Sequence, residues 1–214
     1  MREIVLDTET TGLSPTSGHR IIDIGCIELY LGLPTGKEFQ QYINPERDVP
    51  AEAFAVHGLS RDFLKPFPTF DRIIDAFLEF IKDSTLVIHN AKFDMTFLNA
   101  ELARFNRPAL ANEVVDTLKL AKQRFPGAPA SLDSLCRRLQ IDLKQRAHHG
   151  ALLDAKLLTQ VYPALQQKTI LQWTETPMDR PKHKRSFKKP RTFDLSDQER
   201  TDYSGLLRLL HPKQ

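Results

Sequence analysis

Glu3-Ile4-Val5-Leu6-Asp7-Thr8-Glu9-Thr10-Thr11-Gly12 opens the chain with an apolar, β-branched run that turns acidic and then reaches turn-forming residues. The run reads as a strand over residues 3–6. Side chains alternate along a strand, so Asp7 and Glu9, two apart at its end, project from one face and could share a cation. Two carboxylates that end an apolar strand are costly if buried unpaired, which favours a metal over simple packing. The same stretch also allows Asp7, Thr8, Thr10 and Thr11 to solvate a turn at Gly12, and the segment alone leaves both readings open.

Working outward, residues 21–31 read as a longer strand, residues 32–36 as a turn and residues 37–43 as a returning strand. The chain therefore opens with an antiparallel meander and not with a nucleotide-binding βαβ unit. After Pro50 the pattern becomes helical, and Phe70, Ile73, Ile74, Phe77, Leu78 and Ile81 form one buried stripe behind Pro68. Further strands are expected at 86–88 and 114–115, with helices at 91–105, near 117–124, and at 131–139 and 150–167. Strands first and alternating helices later predict an α/β fold, a mixed sheet flanked by helices.

At 214 residues the chain has room for one substantial domain and a tail. Hydrophobic residues at 41% and charged residues at 27% are ordinary for a globular protein. The acidic start and the lack of a long apolar stretch predict neither a signal peptide nor a membrane span, hence a cytoplasmic protein. Cys26 and Cys136 stand far apart in apolar sequence, outside any metal or redox spacing, and read as small core residues. From Thr174 onward there are 10 Lys or Arg against 6 Asp or Glu, which leaves 20 against 21 before it. A near-neutral body must attract phosphate through bound cations or local patches and not through a global field.

The expected organisation is a catalytic domain over residues 1–173, a flexible basic linker over 174–193 and a short amphipathic helix over 194–214. Between residues 179 and 191 lie Pro181, Pro190 and seven Lys or Arg, a composition that does not pack a core. Beyond it Ser196 and Glu199 have capping-box spacing, and Tyr203, Leu206, Leu207 and Leu210 form a helical stripe. A helix on a tether resembles a docking peptide, although folding back onto the body is the equal alternative.

Asp94, in His89-Asn-Ala-Lys-Phe-Asp94, falls in the first turn of a helix that follows a strand, where the helix dipole favours an anion. Asp154 lies near the start of the last long helix, with Leu152, Leu153, Leu157 and Leu158 as that helix's expected buried side. Five helical residues at about 100° each would put His149 and Asp154 about 140° apart. His149 therefore belongs on the loop before the helix, eased by Gly150, from which it can swing toward a site anchored by Asp154. Its neighbour His148 reads as solvated. Four converging carboxylates repel one another unless cations intervene, and carboxylate oxygens suit Mg²⁺ or Mn²⁺. Two such ions about 3.5–4 Å apart can hold the attacking and leaving oxygens of an in-line phosphoryl displacement. A loop histidine with an ordinary pKa of about 6.5 suits removal of a proton from water at neutral pH.

The ordered set Asp7-Thr-Glu9-Thr-Thr-Gly-Leu13, His89-Asn-Ala-Lys-Phe-Asp94 and His149 with Asp154 resembles the three motifs of the DEDD (DnaQ-like) 3′→5′ exonuclease superfamily, histidine branch. Within it the resemblance is strongest to the epsilon family of bacterial polymerase proofreading subunits, over roughly residues 1–170. It implies a ribonuclease H-like fold with a central mixed five-stranded sheet, and hydrolysis of DNA from its 3′ end to 5′-mononucleotides. It further implies that Asp7, Glu9, Asp94 and Asp154 ligate the metals and that His149 is the general base.

The segment from Pro50 to Gly58 also resembles the family and brings Glu52 and His57 forward as contacts to the terminal nucleotide. Thr10, Leu13, Asn90 and Phe93 would line the place of its sugar and base. The tail would tether the enzyme to the polymerase catalytic subunit, and residues 167–173 resemble a sliding-clamp peptide only loosely. Packing of Ile170, Leu171 and Trp173 at the end of the last helix is the competing reading for that segment. The same motifs also occur in free-standing exoribonucleases, and a non-catalytic binding module would be expected to have lost part of the acidic set.

Overall fold

The computed structural model describes residues 1–144 and 148–166. The linker, terminal helix and clamp-like segment expected from the sequence lie outside the described residues. Strands β1 (Arg2–Thr10), β2 (Ile21–Tyr30) and β3 (Leu33–Tyr42) form the meander, all pairs antiparallel. Helices α1 (Ala51–His57), α2 (Arg61–Leu64) and α3 (Phe70–Ile81) follow. Strand β4 (Thr85–Ile88) pairs parallel with β1, and β5 (Val114–Asp116) pairs parallel with β4. Helix α4 (Ala91–Arg104) links these two strands, and α5 (Thr117–Arg124), α6 (Leu132–Arg138) and α7 (Ala151–Gln166) complete the described chain. The sheet order is β3-β2-β1-β4-β5, so the acid-bearing strand is central.

Strand alternation divides the core between the two faces. Ile4, Leu6, Ile24 and Cys26 face the stripe of α3 and the inner side of α4, the latter through Phe97, Leu98 and Leu102. Val5, Ile27, Leu29 and Val87 face α5, α6 and α7, where Cys136, Leu157, Leu158 and Val161 are buried. Both cysteines are thus core residues, as expected. Asp7 and Glu9 share the alternation of Val5 and so stand on the α7 face.

Three expectations about local structure are corrected. Strand β1 continues through Asp7 and Glu9 to Thr10, because it pairs with β2 along its whole length. The predicted turn over 32–36 is two separate features: Leu31 and Gly32, both with positive φ, form the tight connection, and β3 already begins at Leu33. Gly36, also at positive φ, sits inside β3 beside a register shift between Ile27 and Leu29. On α7, Leu157 and Leu158 are buried as expected, whereas Leu152 and Leu153 are only half-buried and the buried residues of that turn are Ala151 and Asp154.

Candidate active site

Because β1 and β4 run parallel, their carboxyl ends meet at one edge of the sheet, and the chain leaves them to opposite sides, as in other α/β sheets that bind ligands there. Asp94 arrives at this edge in the first turn of α4. Its Oδ1 accepts hydrogen bonds from the Thr8 amide at 3.0 Å and the Thr8 hydroxyl at 2.7 Å. Thr8 alternates with Asp7 and Glu9, so Asp94 grips the strand from the face opposite to theirs. Helix α4 is itself fixed by a buried bidentate pair, Arg20 to Glu101, at 2.7 and 2.8 Å.

Asp154 comes from the other layer. The Tyr162 hydroxyl donates to Glu3 at 2.8 Å, which pins the second half of α7 to the amino end of β1. Eight helical residues back from Tyr162 span about 12 Å, and four strand residues onward from Glu3 span about 13 Å. An antiparallel helix tied at that point therefore delivers Asp154 to Asp7. Close approach is possible because Gly25, opposite Asp7 on β2, has no side chain: a Cβ there would collide with the backbone of Ala151 and Leu152.

His149 lies on the loop before α7, where its amide donates to the Val56 carbonyl at 3.1 Å. Its Nδ1 is 3.2 Å from Asp154 Oδ2, and its side chain remains 45% exposed while that of Asp154 is 4% exposed. One ligand atom each from Glu9, His149 and Asp154 lies within 4.8 Å of the others. A cation with ligand bonds of about 2.0–2.4 Å spans such a gap, and the oxygen-rich donors suit a hard divalent ion. Asp7 and Asp94 line the same cleft of about 570 Å³, together with Leu13, Asn90, Phe93 and Asp133. Burial, opposed by the bonds from Thr8, pushes the Asp94 carboxyl up to about 7.

A second cleft adjoins the first through Glu9, Leu13 and Phe93 and is lined by Thr10, Glu52, Val56 and His57. His57 is 4% exposed, its Nδ1 accepts from the Leu59 amide at 3.0 Å, and its Nε2 has no protein partner among the described residues. Burial, followed by the charges of His149 and His148, lowers the His57 pKa to about 4. The ring is therefore neutral at physiological pH, and since Nδ1 accepts, Nε2 carries the proton and is a donor. Glu52 and Leu13 are exposed, the latter at 86%. Thr10 donates its hydroxyl to the Gly12 carbonyl at 2.6 Å, and Asn90 adopts positive φ just before α4.

All eleven residues singled out in the sequence thus line one continuous depression. Sequence reasoning missed three neighbours. Thr8 was weighed only as a turn residue, yet it holds Asp94. His89 lines the cleft with its Nδ1 3.0 Å from the Thr117 hydroxyl, and burial lowers its pKa. Asp23, the cross-strand partner of Glu9, is fully buried, and burial pushes its carboxyl up to about 7 against the Ala151 amide and the Gln40 side chain. His148, expected to be merely solvated, is exposed but lies over Gly58, where a Cβ would meet its ring at 3.3 Å.

Comparison with known proteins agrees with this geometry. The profile of the exonuclease family matches residues 4–162. The DNA polymerase III subunit epsilon of Rickettsia typhi is 54% identical over 169 residues, covering 77% of this chain and 74% of the relative. That of Escherichia coli K12 is 44% identical over 172 residues, covering 77% and 71%. Among solved structures, the nuclease domain of 3′hExo, a DEDDh family member bound to rAMP, superposes with a TM-score of 0.64 at 21% identity, covering 81% of this chain and 92% of that one. Exonuclease X in complex with 5′ overhanging duplex DNA gives 0.60 at 24% identity, covering 78% and 94%, and these two likenesses support the fold. The chain belongs to the exonuclease family, within the group of bacterial DNA polymerase III epsilon subunits.

Proposed function

We propose that this chain removes nucleotides one at a time from the 3′ end of DNA, as 5′-mononucleotides, while serving as the proofreading subunit of a replicative polymerase in the cytoplasm. The observation that carries the reading is the convergence of Asp7, Glu9, Asp94 and Asp154 with His149 at the carboxyl ends of β1 and β4. The relatives named DNA polymerase III subunit epsilon favour DNA and a polymerase assembly over a free-standing RNA-trimming enzyme.

Asp7, Glu9, Asp94 and Asp154 would hold two divalent cations, Mg²⁺ or Mn²⁺, which when bound offset the phosphate charge and make water more acidic. His149 takes the proton of the attacking water as the bond from phosphorus to the 3′-oxygen of the penultimate nucleotide breaks. The hydrogen bond from its amide to Val56 keeps its loop against α1 while its half-exposed ring stays free to pass the proton to solvent. The neutral His57 donates from Nε2 to the oxygen of the terminal 3′-hydroxyl, and Glu52 accepts from that hydroxyl. Thr10, Leu13, Asn90 and Phe93 flank the terminal sugar and base. A frayed mismatch supplies an unpaired end at lower cost than a matched one, which gives selectivity without reading base identity.

Residues 1–173 form the catalytic unit in this reading. Residues 174–193 are a basic tether, and residues 194–214 dock on the polymerase catalytic subunit. Residues 167–173 are the candidate contact to a sliding clamp. Among the described residues no helix is long and apolar enough to cross a membrane.

The test uses 5′-labelled primers, paired or mismatched at the 3′ end, an RNA oligomer, Mg²⁺ or Mn²⁺, and a chelator control. Stepwise shortening of DNA, faster at the mismatch and stopped by chelator, supports the reading. Shortening of RNA alone transfers the activity to RNA trimming, and no metal-dependent shortening of either overturns it.

A further inference from the structure

The first turn of α7 is capped from a distance. The residue before it is Gly150, which has no side chain to accept from the exposed amides at the helix start. The acceptor comes instead from β2, 128 positions away in the chain, where Asp23 Oδ2 takes the Ala151 amide proton at 3.1 Å. Asp23 is fully buried, and its other oxygen, Oδ1, has no hydrogen-bond partner of normal geometry among the described residues. A buried carboxylate with one oxygen unsatisfied destabilises a fold relative to an apolar side chain of similar size. The cap on the buried Ala151 amide is one reason to keep an acceptor there; what that cap serves calls for another.

Its position supplies one. Asp23 is the cross-strand partner of Glu9, so both carboxyls lie on the α7 face of the sheet. Ala151 starts the turn that contains Asp154, whose own amide bonds to the Gly150 carbonyl at 2.9 Å. The same hydrogen bond anchors the junction that carries His149. Gly25 sets how closely this turn may approach the sheet, while the Asp23 bond fixes where along β2 it stops.

Resting on the metal-ligand reading above, we propose that Asp23 is a positioning residue: by capping Ala151 it holds Asp154 in register with Glu9, so that the two carboxylates present a preformed cation site.

Two variants separate this from a packing role. Asp23→Leu keeps the branch at Cγ and the number of side-chain heavy atoms, with bulkier methyl ends, but has no acceptor, and Asp23→Asn keeps a neutral acceptor for the Ala151 amide. Mn²⁺ binding is read directly from the resonance of free Mn²⁺, without DNA, alongside thermal unfolding of the metal-free chain. Asp23→Leu is expected to weaken Mn²⁺ binding about 10-fold or more with the metal-free Tm unchanged or raised, the size typical of lost support behind a ligand. Asp23→Asn is expected to stay within about threefold of the wild type, on the same scale. Wild-type affinity in Asp23→Leu would overturn the proposal, and equal weakening in both variants would assign the effect to charge and not to the cap.

Should Asp23→Leu fail to fold, the wild-type Ala151 amide still decides. Hydrogen exchange should show it protected, and more so with Mg²⁺, whereas exchange at an open-loop rate sinks the idea. Failure of the wild type to bind Mn²⁺ at all would instead count against the metal-ligand reading itself.

Discussion

At the amino end of β1, Arg2 donates to Glu28, to the Ser84 hydroxyl and to the carbonyls of Phe80 and Ile81, so a cation there is surrounded by acceptors. The hydrogen bond from Arg2, aided by Thr35 and Lys37 and opposed by burial, holds the Glu28 carboxyl down to about 2. At the carboxyl end of the same strand, Asp94 receives the neutral donors of Thr8, and burial carries it up to about 7. One strand thus ends in a settled ion pair and in a crowd of acids. The first arrangement satisfies its own charges; the second is poised for charge supplied from outside, which is what distinguishes a site from a brace.

The strongest way to break this contrast is to remove an acid. Asp7→Ala should lower DNA hydrolysis on the order of a thousandfold or more while leaving the metal-free Tm unchanged or higher, because a crowded carboxylate has gone. Retained hydrolysis would sink the metal assignment. His149→Ala should cost about 10²–10⁴-fold in turnover and leave Mn²⁺ binding nearly intact, as expected for a proton acceptor more than a ligand. If binding collapsed with turnover, His149 would join Glu9 and Asp154 as a ligand.

The opposite end should give the opposite result. Glu28→Ala is expected to destabilise the fold on the order of 1–2 kcal/mol, a few degrees of Tm, with hydrolysis per folded molecule unchanged. Loss of activity without loss of stability would erase the distinction between the two ends.

The smallest effect is a pH dependence of the metal-free chain. Asp23 and Asp94 have folded pKa values of about 7, above the ordinary 3.8, so between those values the native state holds more protons than the unfolded one. Stability contributed by these groups therefore falls as pH rises toward and through 7. His57, lowered to about 4, acts in the opposite sense, and its effect fades as pH rises past its ordinary 6.5. From about pH 6.5 to 8 the metal-free Tm should drop by about 3–5 °C. Saturating Mg²⁺ should abolish the share due to Asp94 and leave that of Asp23, and an equal drop with and without it would remove Asp94 from the account.

How far the sequence disclosed this arrangement depends on the distance over which each feature is determined. Alternation put Asp7 and Glu9 on one face and the helix start favoured an acid at Asp94, both by local rules, while their role as ligands came only with the resemblance of the motifs to the family. The loop position of His149 followed from helix geometry alone. Asp23 was hidden inside Ile21-Ile-Asp-Ile-Gly25, where it reads as one polar interruption of a strand, since its partner lies on the last described helix. Thr8 was obscured for the same reason: its partner, Asp94, is supplied by the crossover from β4. The start of β3 was misread because two glycines with positive φ looked like one turn, although only Gly32 belongs to it.

The close approach at Gly25 carries a consequence for inheritance. A single added methyl group would press the first turn of the last helix away from the sheet without deleting any ligand. Such a chain could still accumulate and still occupy its place in an assembly while correcting poorly. In a population the lesion would be visible less as missing protein than as a quiet rise in copying errors.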